Sequence, residues 1–442
     1  MSETAKPNHQ KALSIPTGRL NRMARLGGLT TALAGNVATR GGLELLQGRK
    51  PKLADLLMTP SNAARVADQL ARMRGAAMKA GQLLSMETSD LLPPELAEIL
   101  GRLRSDAHFM PPAQLKKVLM ANWGRDFLRH FKQFDVHPIA AASIGQVHRA
   151  HSKDGRDLAI KVQYPGIRNS IDSDMRNLGL ILRASGIMPE TFDISRLLEE
   201  GAEQLHEETD YDREGAALER FGAHLGDDPD FVLPKRHCDL STKDILVMDY
   251  LDGVSIETVA DMDQATRDRV ASLIIALTLR ELFELHDMQT DPNFANYRFI
   301  PDTGQIILLD FGATRSFAPD LVASYRSLFR AAVNGNNAQA FQDMIAIGLV
   351  GADMPDKDRD HILRLFDMAA EPLRTGGVLD FGTVGLLARL RRAGMVLADE
   401  QVALHAPPTD TLLLQRKILG CYLLAERLRA RVNLDPLLAR FF

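Results

Sequence analysis

Residues Met288–Arg315 read MQTDPNFANYRFIPDTGQIILLDFGATR, and this stretch decides the fold. The apolar run Ile306–Leu309 has the length and composition of a strand and delivers Asp310 into a DFG triplet. A DFG triplet alone is weak evidence, but here Asn296 follows Asp291 by five residues on the preceding loop. Kinase-type phosphoryl-transfer sites place a catalytic Asp and a metal-binding Asn at that spacing, and the DFG Asp also binds Mg²⁺. The pattern therefore predicts Asp291 as catalytic residue, with Asn296 and Asp310 as Mg²⁺ ligands.

Composition and charge limit the class of protein. The 442 residues are 45% hydrophobic and 25% charged, which suits a globular protein with one large core or two moderate cores. A formal net charge of -4 argues against a nucleic-acid partner, for which a strongly basic domain is usual. Cys238 and Cys421 are far apart and lack metal-ligand spacing, so they predict neither a disulfide framework nor a zinc site.

The N-terminal segment, residues 1–52, differs in composition from the rest of the chain. Its uncharged stretch Leu26–Thr39 is too short to span a bilayer, and the segment lacks the cleavage pattern of a secretory signal. A linker followed by a core-packing helix is one interpretation. Contact with an anionic membrane surface is the other, because small and apolar residues are flanked by Arg19, Arg22, Arg25 and Arg40. We expect a cytoplasmic protein of bacterial type, peripheral at the inner membrane.

Residues 53–130 carry the apolar spacing of helices, with apolar positions three and four apart. One helix is predicted over about Pro112–Trp123, because Gly124 is a natural helix stop. An earlier helix carries KAGQ, in which Lys79 and Gln82 are three residues apart and share one face. Without further context, such a pair indicates a solvated helix face.

A lysine lies inside the strand pattern LAIKV at Leu158–Val162. An unpaired ammonium in an apolar strand is costly, so Lys161 needs a partner. In kinase folds this lysine is held by a helix glutamate and contacts the α- and β-phosphates. The preceding run, IAAASIGQVHRA at Ile139–Ala150, offers alanines where kinases have glycines. It is a weak phosphate-loop signal, and an ordinary helix start is an open alternative.

Six motifs follow one another in the order of a known family. They are KAGQ at 79–82, AAASIGQVH at 140–148, AIKVQYPGI at 159–167, EETDYDREGA at 207–216, TDPNFAN at 290–296 and LLDFGATR at 308–315. In these motifs the chain resembles the UbiB-type (AarF/UbiB) atypical kinases, a family that is associated with coenzyme Q (ubiquinone) biosynthesis and includes the mitochondrial coenzyme Q8-type proteins. The similarity runs from about Pro16 to the C-terminus.

The resemblance implies an α+β, two-lobed protein-kinase-like fold that binds ATP or ADP between the lobes. Residues 53–130 then form the helical KxGQ extension, residues 131–251 the small lobe with a helical insert, and residues 252–442 a mostly helical large lobe. An Ala-rich loop takes the place of the Gly-rich loop over the nucleotide, and it comprises Ala140, Ala141, Ala142, Ser143, Ile144 and Gly145.

The resemblance also implies roles for charged residues. Lys161 is similar to the strand lysine of kinases, and Glu214 to the helix glutamate that pairs with it. Glu208 and Asp210 match the ExD pair of the family and, with Lys79 and Gln82 of the extension over the active site, have regulatory roles. Because Asp210 and Glu214 are four residues apart, we expect one helix face to present both to the site. A solvated helix face is the alternative.

The small lobe contains two further predicted features. The separation of Lys161 from Glu214 is larger than in ordinary kinases, so Ser170–Leu198 is interpreted as an inserted helical segment. The run DILVMDY at Asp244–Tyr250 is typical of a strand that enters the hinge between lobes. Its adenine-binding candidates are Met248, Asp249, Tyr250 and Leu251, with the backbone groups of the last three available to the base.

The large lobe departs from ordinary kinases. Gln289-Thr290-Asp291 stands in place of HRD, so the arginine that reads a phosphorylated activation loop is missing. After Gly312 a helical pattern follows at once and no APE triplet appears, so the platform for a peptide substrate is in doubt. Helix Gln264–Leu285 is predicted as the spine of this lobe. Asn334–Phe442 reads as helical with no reactive constellation.

Three functions remain open on the sequence. The first is an Mg²⁺-dependent ATPase or small-molecule kinase that supports quinone-lipid biosynthesis at a membrane, with quinone-pathway lipids and enzymes as partners. The second, of another class, is a nucleotide-sensing scaffold that binds ATP or ADP without turnover. A true protein kinase is the third, and the missing arginine and APE triplet argue against it.

Overall fold

A computed structural model describes residues 109–142, 144–184, 194–399 and 407–442. The predictions for residues 1–52, the earlier helices of the extension, Lys79, Gln82 and Ser143 lie outside these ranges. The chain forms two compact units. The first unit contains the described residues up to Gly215 together with Lys235–Tyr250, and the second contains Ala216–Pro234 and Leu251–Phe442.

The elements alternate between sheet and helix in the first half and become mainly helical in the second. In chain order the strands are β1 Phe131–Phe134, β2 Ala140–Ala141, β3 Gly145–Ser152, β4 Asp157–Gln163, β5 Phe231–Val232, β6 Ile245–Asp249, β7 Val254–Ser255, β8 Asp287–Gln289, β9 Tyr297–Ile300, β10 Gln305–Leu308, β11 Thr314–Ser316, β12 Val378–Asp380 and β13 Arg431–Asn433. The α-helices are α1 Pro112–Trp123, α2 Ile171–Ala184, α3 Ile194–Glu208, α4 Tyr211–Leu225, α5 Gln264–Arg280, α6 Pro319–Asn334, α7 Asn337–Ala346, α8 Asp356–Arg374, α9 Leu386–Asp399, α10 Thr409–Arg427 and α11 Asp435–Leu438.

The first unit is built on an antiparallel sheet of order β1-β3-β4-β6, with β2 paired to β3. Strand β4 occupies the middle of the sheet, and Leu158, Ile160 and Val162 on it are fully buried. This strand confirms the prediction for Leu158–Val162. Helix α1 confirms the other local prediction in this unit, because a proline opens it and Gly124, at φ +83°, ends it.

Two helices follow the central strand, where the sequence predicted an inserted helical segment. Both α2 and α3 are amphipathic, and they pack against each other. At their contact Gly179 permits a close approach, since a Cβ atom there would lie 2.8 Å from Cδ1 of Leu198. The described parts of the predicted insertion are therefore two packed helices, and α3 continues beyond the predicted end at Leu198 to Glu208, shortly before α4, which carries Glu214.

The second unit contains a sheet of order β5-β10-β9-β7, in which only the β5–β10 pair is parallel. Helix α5 begins at an N-cap, Asp263, whose carboxylate accepts from the amide of Thr266 at 2.9 Å. It continues as a π-helical turn over Glu281–Leu285 and ends at His286, which has a left-handed φ of +52°. The predicted helix Gln264–Leu285 is thus confirmed, with a change of hydrogen bonding in its last turn.

The segment after the DFG triplet is short. Strand β11 pairs with β8, and α6 begins at Pro319, with two residues between β11 and the helix. The amide of Phe317 donates to the carbonyl of His286 at 2.8 Å, which fixes the connection. The sequence predicted a helical pattern directly after Gly312, and the structure differs in that strand β11 comes first, because it pairs with the distant strand β8. Within the described ranges, no helix has both the length and the apolar character that a bilayer span requires.

Candidate functional site

The loop between β8 and β9 carries two of the predicted site residues. Asn293 shapes it, because its side chain accepts from the amide of Ala295 at 3.1 Å and opens the 3₁₀ turn Phe294–Asn296. The side-chain nitrogen Nδ2 of Asn296 donates to Oδ2 of Asp291 at 3.2 Å. The nitrogen, and not the oxygen, of Asn296 therefore faces Asp291. The oxygen is the atom that a hard cation would bind.

The DFG segment is bonded to this loop at both of its ends. The amide of Leu309 donates to the carbonyl of Asn296 at 3.0 Å. At the other end, the amide and hydroxyl of Thr290 donate to the carbonyl of Ala313 at 3.1 and 2.7 Å. These bonds join the backbone of the loop that carries Asp291 and Asn296 to the backbone on both sides of Asp310, within the second unit.

Two local contacts hold the DFG triplet itself. Oδ1 of Asp310 accepts from the amide of Gly312 at 2.9 Å, which fixes the carboxylate over the turn. Phe311 is buried, and its ring centroid lies 5.1 Å from that of Phe221. The aromatic contact anchors the triplet in the core of the second unit.

The donor set fits Mg²⁺ that is partly coordinated by phosphate. Asn296 and Asp310 offer only oxygen ligands, which is what this cation prefers, and Mg²⁺ usually keeps one or two protein ligands beside substrate phosphates. Over the described parts of the chain, no group of three or more His, Cys, Asp or Glu side chains could hold a metal by itself. Asn296 and Asp310 could therefore hold a cation only together with further ligands, such as phosphate oxygens.

The first unit contains the predicted lysine–glutamate pair. Nζ of Lys161 lies 2.7 Å from Oε1 and 2.9 Å from Oε2 of Glu214, so one ammonium donates to both carboxylate oxygens. The two side chains are 8% and 2% exposed. Register places Lys161 on β4 opposite Val147 of β3 and Leu246 of β6, and the ring of Tyr211 lies 5.4 Å from its Nζ. The partner that a buried strand lysine requires is thus present.

The Ala-rich loop is a β-hairpin, so the helix start that the sequence left open is wrong. Ala140 and Ala141 form β2 opposite Val147 and Gln146, and the amide of Ala142 donates to the carbonyl of Gly145 at 2.8 Å. Ala142 is followed by Ser143, which lies outside the described ranges, and by Ile144, which is buried. A Cβ atom at position 145 would lie 2.4 Å from the carbonyl oxygen of Val162, so glycine is required for the close approach of β3 to β4.

The hinge strand β6 is present, but two of its backbone donors are already used. The amide of Asp249 donates to the carbonyl of Lys235 at 3.1 Å, and that of Tyr250 to the carbonyl of Asp157 at 2.9 Å. The sequence predicted that backbone groups near Asp249–Leu251 are available to a base, and these two amides are used within the fold. The amide of Leu251 and the carbonyls of the segment remain candidates. Met248 is buried in the strand, 6% exposed.

The ExD pair lies between two helices and not on one helix face. Glu208 is the last residue of α3, and Asp210 precedes α4, where its Oδ1 accepts from the amides of Asp212 and Arg213 at 3.2 and 3.1 Å. The predicted common face of Asp210 and Glu214 is wrong, because the aspartate caps the helix that carries the glutamate. Between the pair, the carbonyl of Thr209 accepts from the Gln163 side chain at 2.6 Å, which fixes the connection.

A buried charged cluster in the second unit was not predicted. It comprises Glu281, Gln289, Tyr297 and Lys417, and we refer to it as the Lys417 cluster. Lys417 is 1% exposed although it lies in a region where the sequence showed no reactive constellation. A lysine among apolar residues of the run LLLQRKILG in α10 was the available signal.

The chain is similar to a family of atypical kinases. Residues 102–344 match the family model of the ABC1 atypical kinase-like domain. The chain is 36% identical over 448 residues to the mitochondrial atypical kinase COQ8 of Saccharomyces cerevisiae, covering all of this chain and 88% of that protein. It is 34% identical over 425 residues to the mitochondrial atypical kinase COQ8B of Rattus norvegicus, covering 95% of this chain and 79% of that protein.

The fold is also found among solved structures. The structure of Rv3197 from Mycobacterium tuberculosis, in complex with erythromycin, superposes with a TM-score of 0.60 at 24% sequence identity. The match covers 86% of this chain and 96% of that one. Together with the family model, it confirms the predicted kinase-like fold of mixed helix and sheet.

Proposed function

Because the chain belongs to the ABC1 atypical kinase-like family of UbiB type, we propose that it is an Mg²⁺-dependent ATPase or small-molecule kinase. It binds ATP or ADP and acts in coenzyme Q biosynthesis, on or beside quinone-pathway lipids at an anionic membrane surface. The family resemblance supports the pathway, and the names of the COQ8 relatives agree with it. The site residues support the reaction class.

The observation that carries the proposal is the bidentate pair of Lys161 with Glu214, at 2.7 and 2.9 Å. In kinases this pair must be in place before the lysine can hold the α- and β-phosphates. A buried ammonium without such a carboxylate would be costly, and a purely structural pair is often replaceable by apolar residues. The presence of a buried charged pair here is consistent with a phosphate-binding role for Lys161.

In the proposed reaction each residue has one task. Lys161 positions the nucleotide through its α- and β-phosphates, and Glu214 orients Lys161. Asn296 and Asp310 would hold Mg²⁺, which neutralises phosphate charge when it is bound. Asp291 orients the attacking oxygen, which belongs to water or to a phenol-like hydroxyl. The Ala-rich hairpin contacts the nucleotide, and Met248 and Leu251 contact its base.

The described segment after the DFG triplet disfavours a protein kinase. Only Phe317 and Ala318 separate β11 from α6, so this part of the chain has no activation segment on which a peptide would lie. The acceptor is therefore small or is water. Glu208 and Asp210 flank the fixed carbonyl of Thr209, and we assign them, with Lys79 and Gln82, to regulation of access to the site.

The test is phosphate release from Mg-ATP by the purified protein and by its Asp310→Asn variant, with and without anionic liposomes that contain a phenol. We expect the variant to lose about 100-fold or more of the rate, the order that loss of one transition-state contact causes. Asp302→Asn is the matched control, because Asp302 is an exposed turn residue of the same unit. Wild-type turnover by Asp310→Asn would refute the site. Nucleotide binding without turnover by the wild type would favour the nucleotide-sensing scaffold.

A further inference from the structure

The Lys417 cluster ties one side chain of α10 to both ends of the loop that carries Asp291 and Asn296. Nζ of Lys417 donates to the hydroxyl of Tyr297 at 2.6 Å and to Oε1 of Gln289 at 3.4 Å. Gln289 is the last residue of β8 and Tyr297 is the first of β9, so these two residues bracket the loop. One ammonium therefore fixes the two points between which the loop must close.

The same helix also contacts the loop directly. Gly420 lies three residues after Lys417 on α10, and a Cβ atom there would lie only 2.2 Å from Cβ of Pro292. Pro292 follows Asp291 directly in the chain. Helix α10 is thus in contact with the start, the interior and the end of the loop, and any side chain larger than hydrogen at position 420 would displace Pro292.

Burial of the charged groups in the cluster costs free energy, because they are removed from water. We therefore look for a role of the cluster beyond stability. Burial opposes the charge on Lys417, but the carboxylate of Glu281, 3.5 Å away, and the Tyr297 hydroxyl raise the lysine pKa above its ordinary value. Burial raises the pKa of Glu281, and the ammonium limits that rise. Well-packed apolar residues commonly stabilise a core as well as a buried ion pair does, whereas charged hydrogen bonds fix one geometry.

We propose that Lys417 is a positioning residue, which sets the separation of Asp291 from Asn296 by fixing both ends of their loop. The inference rests on the proposed function, because these two residues are assigned there to the attacking oxygen and to Mg²⁺. In this proposal Lys417, a residue of the second unit, holds the loop in place in the free protein. No ligand or modification is needed to complete it.

The test compares Lys417→Met, Lys417→Arg and Gly420→Ala in the full-length protein. Leu424→Ala is the matched control, because Leu424 is buried on the same helix and lies outside the cluster. Displacement of a reacting group by about 1 Å costs on the order of 100-fold in rate. We expect Lys417→Met to lower kcat by about 10- to 100-fold with KM for Mg-ATP changed less than about threefold, and Lys417→Arg to restore part of the loss. Leu424→Ala should lower the melting temperature and keep kcat within about twofold, since it removes packing only.

A second measurement does not require turnover. The backbone amides of Ala295 and Asn296 donate hydrogen bonds to Asn293 inside the loop. Their rates of hydrogen exchange therefore report how well ordered the loop is. We expect at least about tenfold faster exchange of these amides in Lys417→Met and Gly420→Ala, and wild-type exchange there in Leu424→Ala. Wild-type kcat and exchange in a folded Lys417→Met protein would overturn the proposal, and so would an equal kcat loss in Leu424→Ala. If the wild type shows no Asp310-dependent turnover, the proposed function fails. The hydrogen-exchange rates of the loop amides then test by themselves whether Lys417 orders the loop. If Lys417→Met does not fold, Gly420→Ala decides in the same way.

Discussion

Replacing Glu214 with leucine tests whether the Lys161–Glu214 pair exists before any ligand binds. At 2.7 Å and an effective dielectric constant of about 20, the two charges attract by about 6 kcal/mol. The ring of Tyr211, 5.4 Å from Nζ, would retain about 1 to 2 kcal/mol for the remaining ammonium. We therefore expect Glu214→Leu to lower the free energy of unfolding of the first unit by about 3 to 5 kcal/mol, the usual cost of breaking a buried pair.

The chain contains its own probe for this measurement. It has one tryptophan, Trp123, which belongs to the same unit as the pair. Its Nε1 donates to the carbonyl of Leu240 at 2.8 Å, and its ring lies 5.4 Å from that of Phe131. Tryptophan fluorescence during urea unfolding therefore reports this unit, and urea does not screen charges. With a slope of about 2 kcal/mol per molar urea, a loss of 3 kcal/mol lowers the midpoint by about 1.5 M.

A double-mutant cycle separates the pair from the rest of the packing. Lys161→Met should cost a similar amount, because it leaves the Glu214 carboxylate buried without its ammonium. The double variant Lys161→Met with Glu214→Leu should lie within about 1 kcal/mol of the wild type, since apolar residues of similar volume replace buried pairs at little cost. Exposed ion pairs contribute less than about 1 kcal/mol to stability. A loss of unfolding free energy below about 1 kcal/mol in Glu214→Leu would therefore refute the buried geometry of the pair.

Two further predictions concern the hairpin region. Burial lowers the pKa of His148 from 6.5 to about 4. Nε2 of His148 accepts from the side-chain nitrogen Nε2 of Gln146 at 2.8 Å, so the imidazole is neutral in the folded protein. The unfolded chain therefore binds a proton at His148 more tightly than the folded chain does. Between pH 7 and pH 5 the first unit should lose about 2 kcal/mol of unfolding free energy, measured by tryptophan fluorescence in urea. The dependence of this free energy on pH should be flatter in His148→Leu. Ala141→Gly and Ala142→Gly should each alter ATP and ADP affinity in titration calorimetry, because glycine lets the backbone approach the phosphates; unchanged affinity in both would mean that the hairpin does not contact the nucleotide.

The elements that the sequence predicted well are those with local causes. Strand β4 carries the short apolar run expected of a buried strand, and α1 carries a proline at its start and a glycine at its end. The loop and strand from Asp291 to Asp310 were equally readable, because turn residues and an apolar run fix them within twenty residues. In each case the residues that decide the conformation are near neighbours in the chain.

The errors arose where a distant partner overrides a local preference. Alanine favours helices, but Ala140 and Ala141 pair with β3 and become a strand. The hinge amide of Tyr250 is taken by the carbonyl of Asp157 on a neighbouring strand, and no local pattern shows that bond. Lys417 is the extreme case, because its partners Gln289 and Tyr297 precede it by 128 and 120 residues.

The position of Lys417 bears on how such a site stays active. Ordinary kinases use the arginine of HRD to sense a phosphorylated activation segment, and this chain has neither that arginine nor, between β11 and α6, room for the segment. Gln289 stands in the first position of the triplet and is bonded to Lys417 from inside the core. A lysine that is 1% exposed cannot bind a phosphate group on a surface segment, as the arginine of HRD does. Under the proposed function and with Lys417 as the anchor of the loop, we expect control to act on nucleotide binding or on access of the acceptor and not on the order of this loop.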